Sequence, residues 1–203
     1  MIRRLEQAYP YLLLATAVIP LIFIDGLLYP YVAPKTFLLR GIVIVALSLF
    51  SYLVLSGKEF FFGRLRSKIT WVPGALLVVA YVSTAMGADF YHGFWSTYDR
   101  GDGLVSLTAV IALYYLILVY ADRFFYERFI NVVSWTGTIV AIYAVLQWIV
   151  VTTGAHIPLV AVSHGRVGST LGNAAFLSGY MGITFLVTLA TAWHSEGSGR
   201  KFW

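Results

Sequence analysis

The chain has 203 residues, of which 60% are hydrophobic and 11% charged, against roughly 45–50% and about 25% in soluble domains. So few charged residues cannot cover the surface of a soluble domain, which excludes soluble enzymes, nucleic-acid-binding domains and disordered tails. The 14 basic and 9 acidic residues leave a net charge of +5, which in a membrane protein reports topology and not a nucleic-acid partner. The sequence also contains no cysteine and therefore no disulfide or thiolate metal site. We expect an integral membrane protein whose partner is the lipid bilayer.

Six stretches are apolar enough to cross a bilayer as helices, which need about 20 residues each. In chain order the predicted spans are approximately 11–28, 37–56, 70–88, 103–121, 129–152 and 171–193. No small-residue cleavage site follows the basic start, so the first span is expected to be an uncleaved helix. The pattern predicts an all-α fold, a polytopic transmembrane helical bundle that forms a single domain over residues 1–203.

The basic residues indicate the orientation of the bundle. Ten of the 14 Lys and Arg residues fall on the side of the N-terminus, and four fall on the other side. Because cytoplasmic loops carry an excess of Lys and Arg, both termini are expected to be cytoplasmic. The basic segment after the last span is typical of a loop that leads to a further helix. We therefore expect an N-terminal fragment of a larger protein.

Three of the four outer basic residues accompany the second, fourth and sixth spans, which run inward from the outer surface. They are Lys35, Arg100 and Arg166. A helix N-terminus carries about half a positive charge and free N–H donors, so each pairing concentrates positive potential. If these helix ends converge, they form a site for a multiply charged anion at the outer face.

Structural roles are open alternatives for these cations. Lys35 and the fourth outer cation, Arg40, can extend to lipid headgroups. Asp25, inside the first apolar stretch, can neutralise one of them or support the site. Arg100 lies between two acidic residues and can form local salt bridges.

Arg166 stands apart because no acidic residue lies within twenty positions of it. Gly168 and Ser169 follow it, and their backbone can approach an anion closely. Small residues four apart, first Gly168 and Gly172 and then Ala174, Ser178 and Gly182, alternatively predict a seam for close helix packing. Packing explains the glycines but leaves the arginine unexplained.

No spacing typical of metal ligands is present, so neither a metal nor a cofactor is predicted. The catalytic base is not identified; His164, on the predicted outer side, is a candidate because histidine titrates near neutral pH.

Three motifs occur in order on the predicted outer side: Tyr29-Pro-Tyr-Val-Ala-Pro-Lys35, then Phe94-Trp-Ser-Thr-Tyr-Asp-Arg-Gly-Asp-Gly-Leu104, then Arg166-Val-Gly-Ser-Thr-Leu-Gly-Asn173. Together they resemble the N-terminal half of the O-antigen ligase and O-antigen polymerase superfamily. The resemblance implies a multi-pass protein of the bacterial inner (cytoplasmic) membrane. It also implies about ten to fourteen helices in the complete protein and a large periplasmic loop in its C-terminal half.

The resemblance further implies an inverting glycosyltransferase of lipopolysaccharide or other cell-surface polysaccharide biosynthesis. Such enzymes move a glycan from an undecaprenyl-diphosphate carrier to an acceptor lipid, sugar or protein hydroxyl, without metal or nucleotide. Arg166 and Arg100 match family arginines that hold the diphosphate, and Asn173 matches the start of the following segment, although Ala-Ala replaces the usual Pro-Asn after it. The family's loop histidine has no counterpart here, so the fragment alone is expected to be inactive.

Two other function classes stay open: a transporter for a small anion such as bicarbonate, and a non-catalytic membrane scaffold. A transporter is expected to carry polar groups near the bilayer midplane. Only Gln147 and Asp25 are candidates for such groups.

Overall fold

The computed structural model describes residues 2–97, 99–158, 160–161 and 165–198, with side chains up to residue 193. The described residues contain helices and no strand, which confirms the predicted all-α class. Their α-helices are α1 (Ile2–Ala15), α2 (Ala33–Leu55), α3 (Val72–Met86), α4 (Phe90–Trp95), α5 (Leu104–Tyr120), α6 (Arg123–Thr153) and α7 (Ala174–Ser198). Short 3₁₀ helices form at Thr16–Leu21, Phe62–Arg66, Lys68–Trp71 and Ser169–Leu171.

Four helical segments of the described chain are long and apolar enough to cross a membrane. They are Ala33–Leu55, Lys68–Met86, Arg123–Thr153 and Ala174–Trp193. Helix α5 is also apolar, with 17 residues. Large apolar side chains point outward on these helices, for example Trp193, which is 80% exposed. Such extensive apolar surface is compatible with lipid and not with water, so the helices are those of a membrane protein.

The first apolar stretch, predicted as one helix over 11–28, is interrupted. Helix α1 ends at Ala15, a 3₁₀ helix covers Thr16–Leu21, and the chain from 22 to 32 is not helical. Pro20 lies in the 3₁₀ helix and cannot donate the backbone hydrogen bond that an α-helix needs there. The Pro20 carbonyl instead accepts a hydrogen bond from Thr170 Oγ1, at 2.8 Å. A residue from a distant part of the chain therefore forms a hydrogen bond with a backbone carbonyl that the interruption leaves without a helical partner.

The buried core joins α1, α2, α5 and the start of α6. Its buried residues are Tyr9, Leu13, Ala46, Leu53, Leu116, Ala121 and Phe125. The Tyr9 ring meets Tyr120 edge to face, with 4.9 Å between the ring centroids. An aromatic pair of this kind contributes about 0.5–1.5 kcal/mol beyond the buried area. This core holds the end of the bundle that contains the start of α1 and the end of α5.

Arg64 closes the same end of the bundle. Its Nη1 donates hydrogen bonds to the carbonyls of Leu118 (2.9 Å) and Ala121, and its guanidinium lies 4.4 Å from the centre of the Phe61 ring. The last carbonyls of a helix lack partners within it and carry partial negative charge, so a cation is favourable there. Arg64 thus caps α5. Arg66, two residues later, is exposed and provides a basic control position.

Candidate functional site

The three motifs come together at the opposite end of the bundle, where α2 begins. The first and third motifs are hydrogen-bonded to each other, and the second motif approaches α2. The Lys35 Nζ donates a hydrogen bond to the Thr170 carbonyl at 2.7 Å, which joins the first motif to the third. The second motif approaches α2 at Gly101, where an added Cβ would stand 2.6 Å from Thr36 Oγ1. The segments that the sequence singles out are therefore neighbours in space.

Lys35 holds the backbone of two segments. Its ammonium donates hydrogen bonds to the carbonyls of Tyr31, at 2.8 Å, and Thr170, at 2.7 Å. An ammonium has three N–H donors, so one donor has no hydrogen bond to the described residues. Lys35 is partly buried, with its side chain between the start of α2 and the residues that precede α7. Its first role is to position these backbone segments.

Residues 168–173, here called the 168–173 turn, are anchored by buried hydrogen bonds to α6. The Ser169 amide donates to Gln147 Oε1 at 2.7 Å, and the Ser169 hydroxyl donates to the Val140 carbonyl at 2.7 Å. Ser169 and Gln147 are only 1% and 2% exposed. Gln147 Nε2 also donates to the Ala161 carbonyl at 2.6 Å. Both ends of the Gln147 amide are thus satisfied by backbone groups of the chain, as buried polar groups require.

The backbone of this turn is unusual because Ser169 has φ +51°. A left-handed conformation costs a residue with a side chain roughly 1–2 kcal/mol. The hydrogen bonds from Ser169 to α6 offset this cost, since each contributes about 0.5–1.5 kcal/mol. The turn is therefore held in one conformation by its tertiary contacts.

Close packing explains the glycines of the turn. Gly172 has φ +73°, and a Cβ added to it would lie 2.3 Å from Cγ of the Tyr31 ring. A Cβ on Gly168 would lie 2.6 Å from the carbonyl carbon of Gly172. Neither glycine belongs to α7, and Gly182 within α7 has open space beside it. The small residues of the motif therefore shape a turn in this structure and do not form a helix-packing seam.

Asn173 begins α7. Its Oδ1 accepts a hydrogen bond from the Ala175 amide at 2.8 Å, and its carbonyl accepts one from Leu177 at 2.9 Å. This is the arrangement of a helix N-cap, for which asparagine is among the preferred residues. The side chain of Asn173 thus supports the helix that follows Arg166 and the turn.

Asp25 forms no ion pair with any described residue. It is exposed, and its Oδ1 accepts a hydrogen bond from the Gly26 amide at 3.0 Å. Burial, together with the neighbouring Tyr143 and Asp25, raises the pKa of Tyr31 above its ordinary value. Asp25 therefore contributes negative potential beside Tyr31 and does not neutralise Lys35 or Arg40 directly.

Arg100 lies in the turn before α5, which begins at Leu104. Its side chain is exposed. A hydrogen bond from the Thr97 side chain, backbone hydrogen bonds and the charge of Arg100 keep the pKa of Asp99 below its ordinary value. The charge of Arg100 thus contributes to the lowered pKa of Asp99, although the described residues contain no ion pair between the two side chains.

Arg166 is exposed, and its guanidinium has no hydrogen bond or ion pair with any residue that the structure describes. It precedes the anchored 168–173 turn by two residues. A cation at the edge of a fixed turn can meet a ligand without first breaking a contact to the described residues. His164, the candidate base, lies outside the described residues.

Sequence reasoning missed two features at this end of the bundle. Tyr31 packs on Gly172 and stacks on Phe23, with 5.8 Å between the ring centroids. Arg40 donates hydrogen bonds to Ser106 Oγ from Nε and Nη2, at 3.1 and 2.7 Å. Tyr31 is an aromatic residue within the first motif, and this could have singled it out. Nothing in the sequence indicated the contact between Arg40 and Ser106.

Among the described residues, no group of three or more histidine or acidic side chains is placed to hold a metal ion. An anion at this end of the bundle would meet cationic side chains next to a backbone segment that buried hydrogen bonds hold in place. The chain matches no family model, no curated protein and no solved structure.

Proposed function

We propose that this chain is part of an O-antigen ligase-like glycosyltransferase, which moves a glycan from an undecaprenyl-diphosphate carrier to an acceptor hydroxyl. The observation that carries the proposal is Arg166, an exposed cation without an internal partner in the described structure, beside a turn anchored by Ser169 and Gln147. Lys35 supports the proposal because it bonds to the same turn and has one N–H donor without a hydrogen bond to the described residues.

The chemistry suits arginine. The planar guanidinium binds two phosphate oxygens at once, and charge-assisted hydrogen bonds are stronger than neutral ones. In the proposed reaction the acceptor oxygen forms a bond to the anomeric carbon while the bond from that carbon to the diphosphate oxygen breaks. The electron pair goes to the diphosphate, whose developing charge Arg166, Arg100 and Lys35 would stabilise. The hydroxyl proton goes to a base, for which His164 is the candidate.

Supporting groups would act through position. The Gly168 and Ser169 backbone shapes the turn, Asn173 caps the helix that follows it, and the charge of Asp25 acts on Tyr31. These groups need not touch the diphosphate, because they hold the cations in position and a misplaced cation loses much of its effect.

The proposal places this end of the bundle outside the inner membrane and both termini in the cytoplasm. We expect a membrane-impermeant thiol reagent to label Thr97→Cys in intact cells, and to label Ser67→Cys only after permeabilisation. Both positions are exposed in the structure, so access to the reagent is decided by the membrane. The reversed labelling pattern would reject the orientation and the anion site with it.

Deletion of the gene in its native host tests the function directly. We expect loss of one cell-surface glycan and accumulation of that glycan on undecaprenyl diphosphate, both restored by the intact gene. An unchanged surface glycan with no accumulated carrier would contradict the proposal.

One observation favours the alternative function, transport of a small anion. The first apolar stretch breaks at Thr16–Leu21, and interrupted helices are common at the binding sites of transporters. Uptake of labelled bicarbonate by proteoliposomes, together with normal surface glycan in the deletion strain, would support transport over glycan transfer.

A further inference from the structure

A cleft of about 300 Å³ opens between α2, α4 and residues Ser96, Thr97 and Gly101, apart from the 168–173 turn. Its walls combine one cation, hydroxyl groups and aromatic rings. The lining residues that matter are Ala33, Thr36, Arg40, Tyr91, Trp95 and Thr97. Clefts of this volume are within the range of small-molecule sites, which place few polar groups among apolar walls.

Arg40 is the charged group of this cleft, and its described partners are neutral. Its Nε and Nη2 donate to Ser106 Oγ at 3.1 and 2.7 Å, and that hydroxyl donates in turn to the Gly101 carbonyl at 2.5 Å. A guanidinium has five N–H donors, so three of them have no hydrogen bond to the described residues. Removing a cation from water is unfavourable unless it meets an anion, and Arg40 is partly buried.

The acidic side chains of the neighbouring segments are engaged elsewhere. Asp102 accepts a hydrogen bond from Ser96 at 2.5 Å. Asp89 accepts one from the backbone of His92 in α4, and Asp99 accepts one from Thr97. None of the three forms an ion pair with Arg40 in the described structure. An anion from outside the chain can therefore complete the coordination of the guanidinium.

The position of Arg40 indicates the kind of anion. Arg40 is seven residues after Ala33, which places it about 10 Å along α2 at 1.5 Å per residue. Tyr91 and Trp95, 70% and 47% exposed, form the rim of the cleft. Tyrosine and tryptophan are enriched at the headgroup level of membranes. The anion with the highest density at that level is the phosphate group of lipids.

We propose that this cleft binds the phosphate group of a lipid, with Arg40 as the anion-binding residue. The lipid is either a glycerophospholipid or a polyprenyl phosphate, since both join a phosphate to an apolar chain. The guanidinium holds the phosphate oxygens, the Thr36 and Thr97 hydroxyls border them, and the aromatic rim contacts the start of the apolar chain. This site is separate from Arg166 and does not depend on glycan transfer.

Binding to the purified full chain in a neutral detergent tests the proposal. The probes are short-chain phosphatidylglycerol, a short-chain polyprenyl phosphate and, as the neutral control, a diacylglycerol with the same chains. We expect at least one phosphate probe to bind, the diacylglycerol not to bind, and Arg40→Gln to weaken binding about tenfold or more. The tighter of the two phosphate probes identifies the source of the ligand. The matched control, Arg66→Gln, removes an exposed cation at the other end of the bundle and is expected to bind as the wild type does.

A second variant separates ligand binding from folding, because Arg40 also holds Ser106. Ala33→Leu keeps the Arg40–Ser106 hydrogen bonds and adds three carbon atoms to the wall of the cleft. We expect it to weaken binding of the phosphate probe by a similar factor while thermal stability stays unchanged. The proposal is overturned if both variants bind the probe as tightly as the wild type, or if the diacylglycerol binds equally well.

Discussion

Replacement of Arg166 by alanine is expected to lower glycan transfer by roughly 100- to 1000-fold, the usual effect of removing one donor that stabilises a developing negative charge. The guanidinium has no hydrogen bond or ion pair with the described residues, so its loss removes no internal contact of that part of the fold. We therefore expect membrane insertion and thermal stability of Arg166→Ala to equal those of the wild type. The measurement is surface glycan in the complemented deletion strain, at matched expression.

Two further variants give this prediction its specificity. Arg166→Lys keeps the charge but not the planar fork, so we expect partial recovery of transfer. Arg66→Ala removes an exposed arginine from the other end of the bundle and should transfer at the wild-type rate. Arg64 is unsuitable as a control because it caps α5. Normal transfer by Arg166→Ala would remove Arg166 from the site.

We expect the largest loss of stability from the replacement of Gly172 by alanine. The substituted residue would keep φ +73° and place Cβ 2.3 Å from Cγ of Tyr31. The left-handed conformation and the overpacking together should lower the free energy of unfolding by about 2–5 kcal/mol. Unfolding of the purified protein in detergent, followed by temperature or denaturant, measures this change.

A glycine in α7 provides the matched control. Gly179 is helical and has no atom within 4 Å of the position of an added Cβ. Gly179→Ala should leave stability unchanged or raise it by up to about 1 kcal/mol through helix propensity. Equal stability of Gly172→Ala and the wild type would mean that the turn does not pack on Tyr31 as described.

A double variant divides the cost of Gly172→Ala into its two causes. Adding Tyr31→Gly removes both the ring and the Cβ of residue 31, which the new Cβ would meet, but leaves the left-handed backbone of residue 172. We expect the effects of the two substitutions to be less than additive, because residues in contact share their energetic effects. Additive effects would place the strain in the backbone alone.

The sequence by itself determined the class of protein and most of its helices. A long run of apolar residues favours a helix in lipid at every position along it, so the signal is local and accumulates. The predicted span 37–56 is seen as Ala33–Leu55, and 129–152 lies within Arg123–Thr153. The interruption at Thr16–Leu21 was not predicted, because apolarity measures transfer into lipid and carries no information on backbone geometry.

The tertiary structure alone decided how the candidate residues are used. Lys35 bonds to Thr170, which is 135 positions away in the chain, and Arg40 bonds to Ser106 across 66 positions. The charge of these residues was visible in the sequence, but their partners were not. A hydrogen bond between distant segments depends on how whole helices pack, and that packing is the sum of many weak contacts that no single motif encodes. Arg166 and Arg100 differ from Lys35 and Arg40 for the same physical reason: the packing supplies neutral internal acceptors to Lys35 and Arg40 and supplies none to the side chains of Arg166 and Arg100 among the described residues.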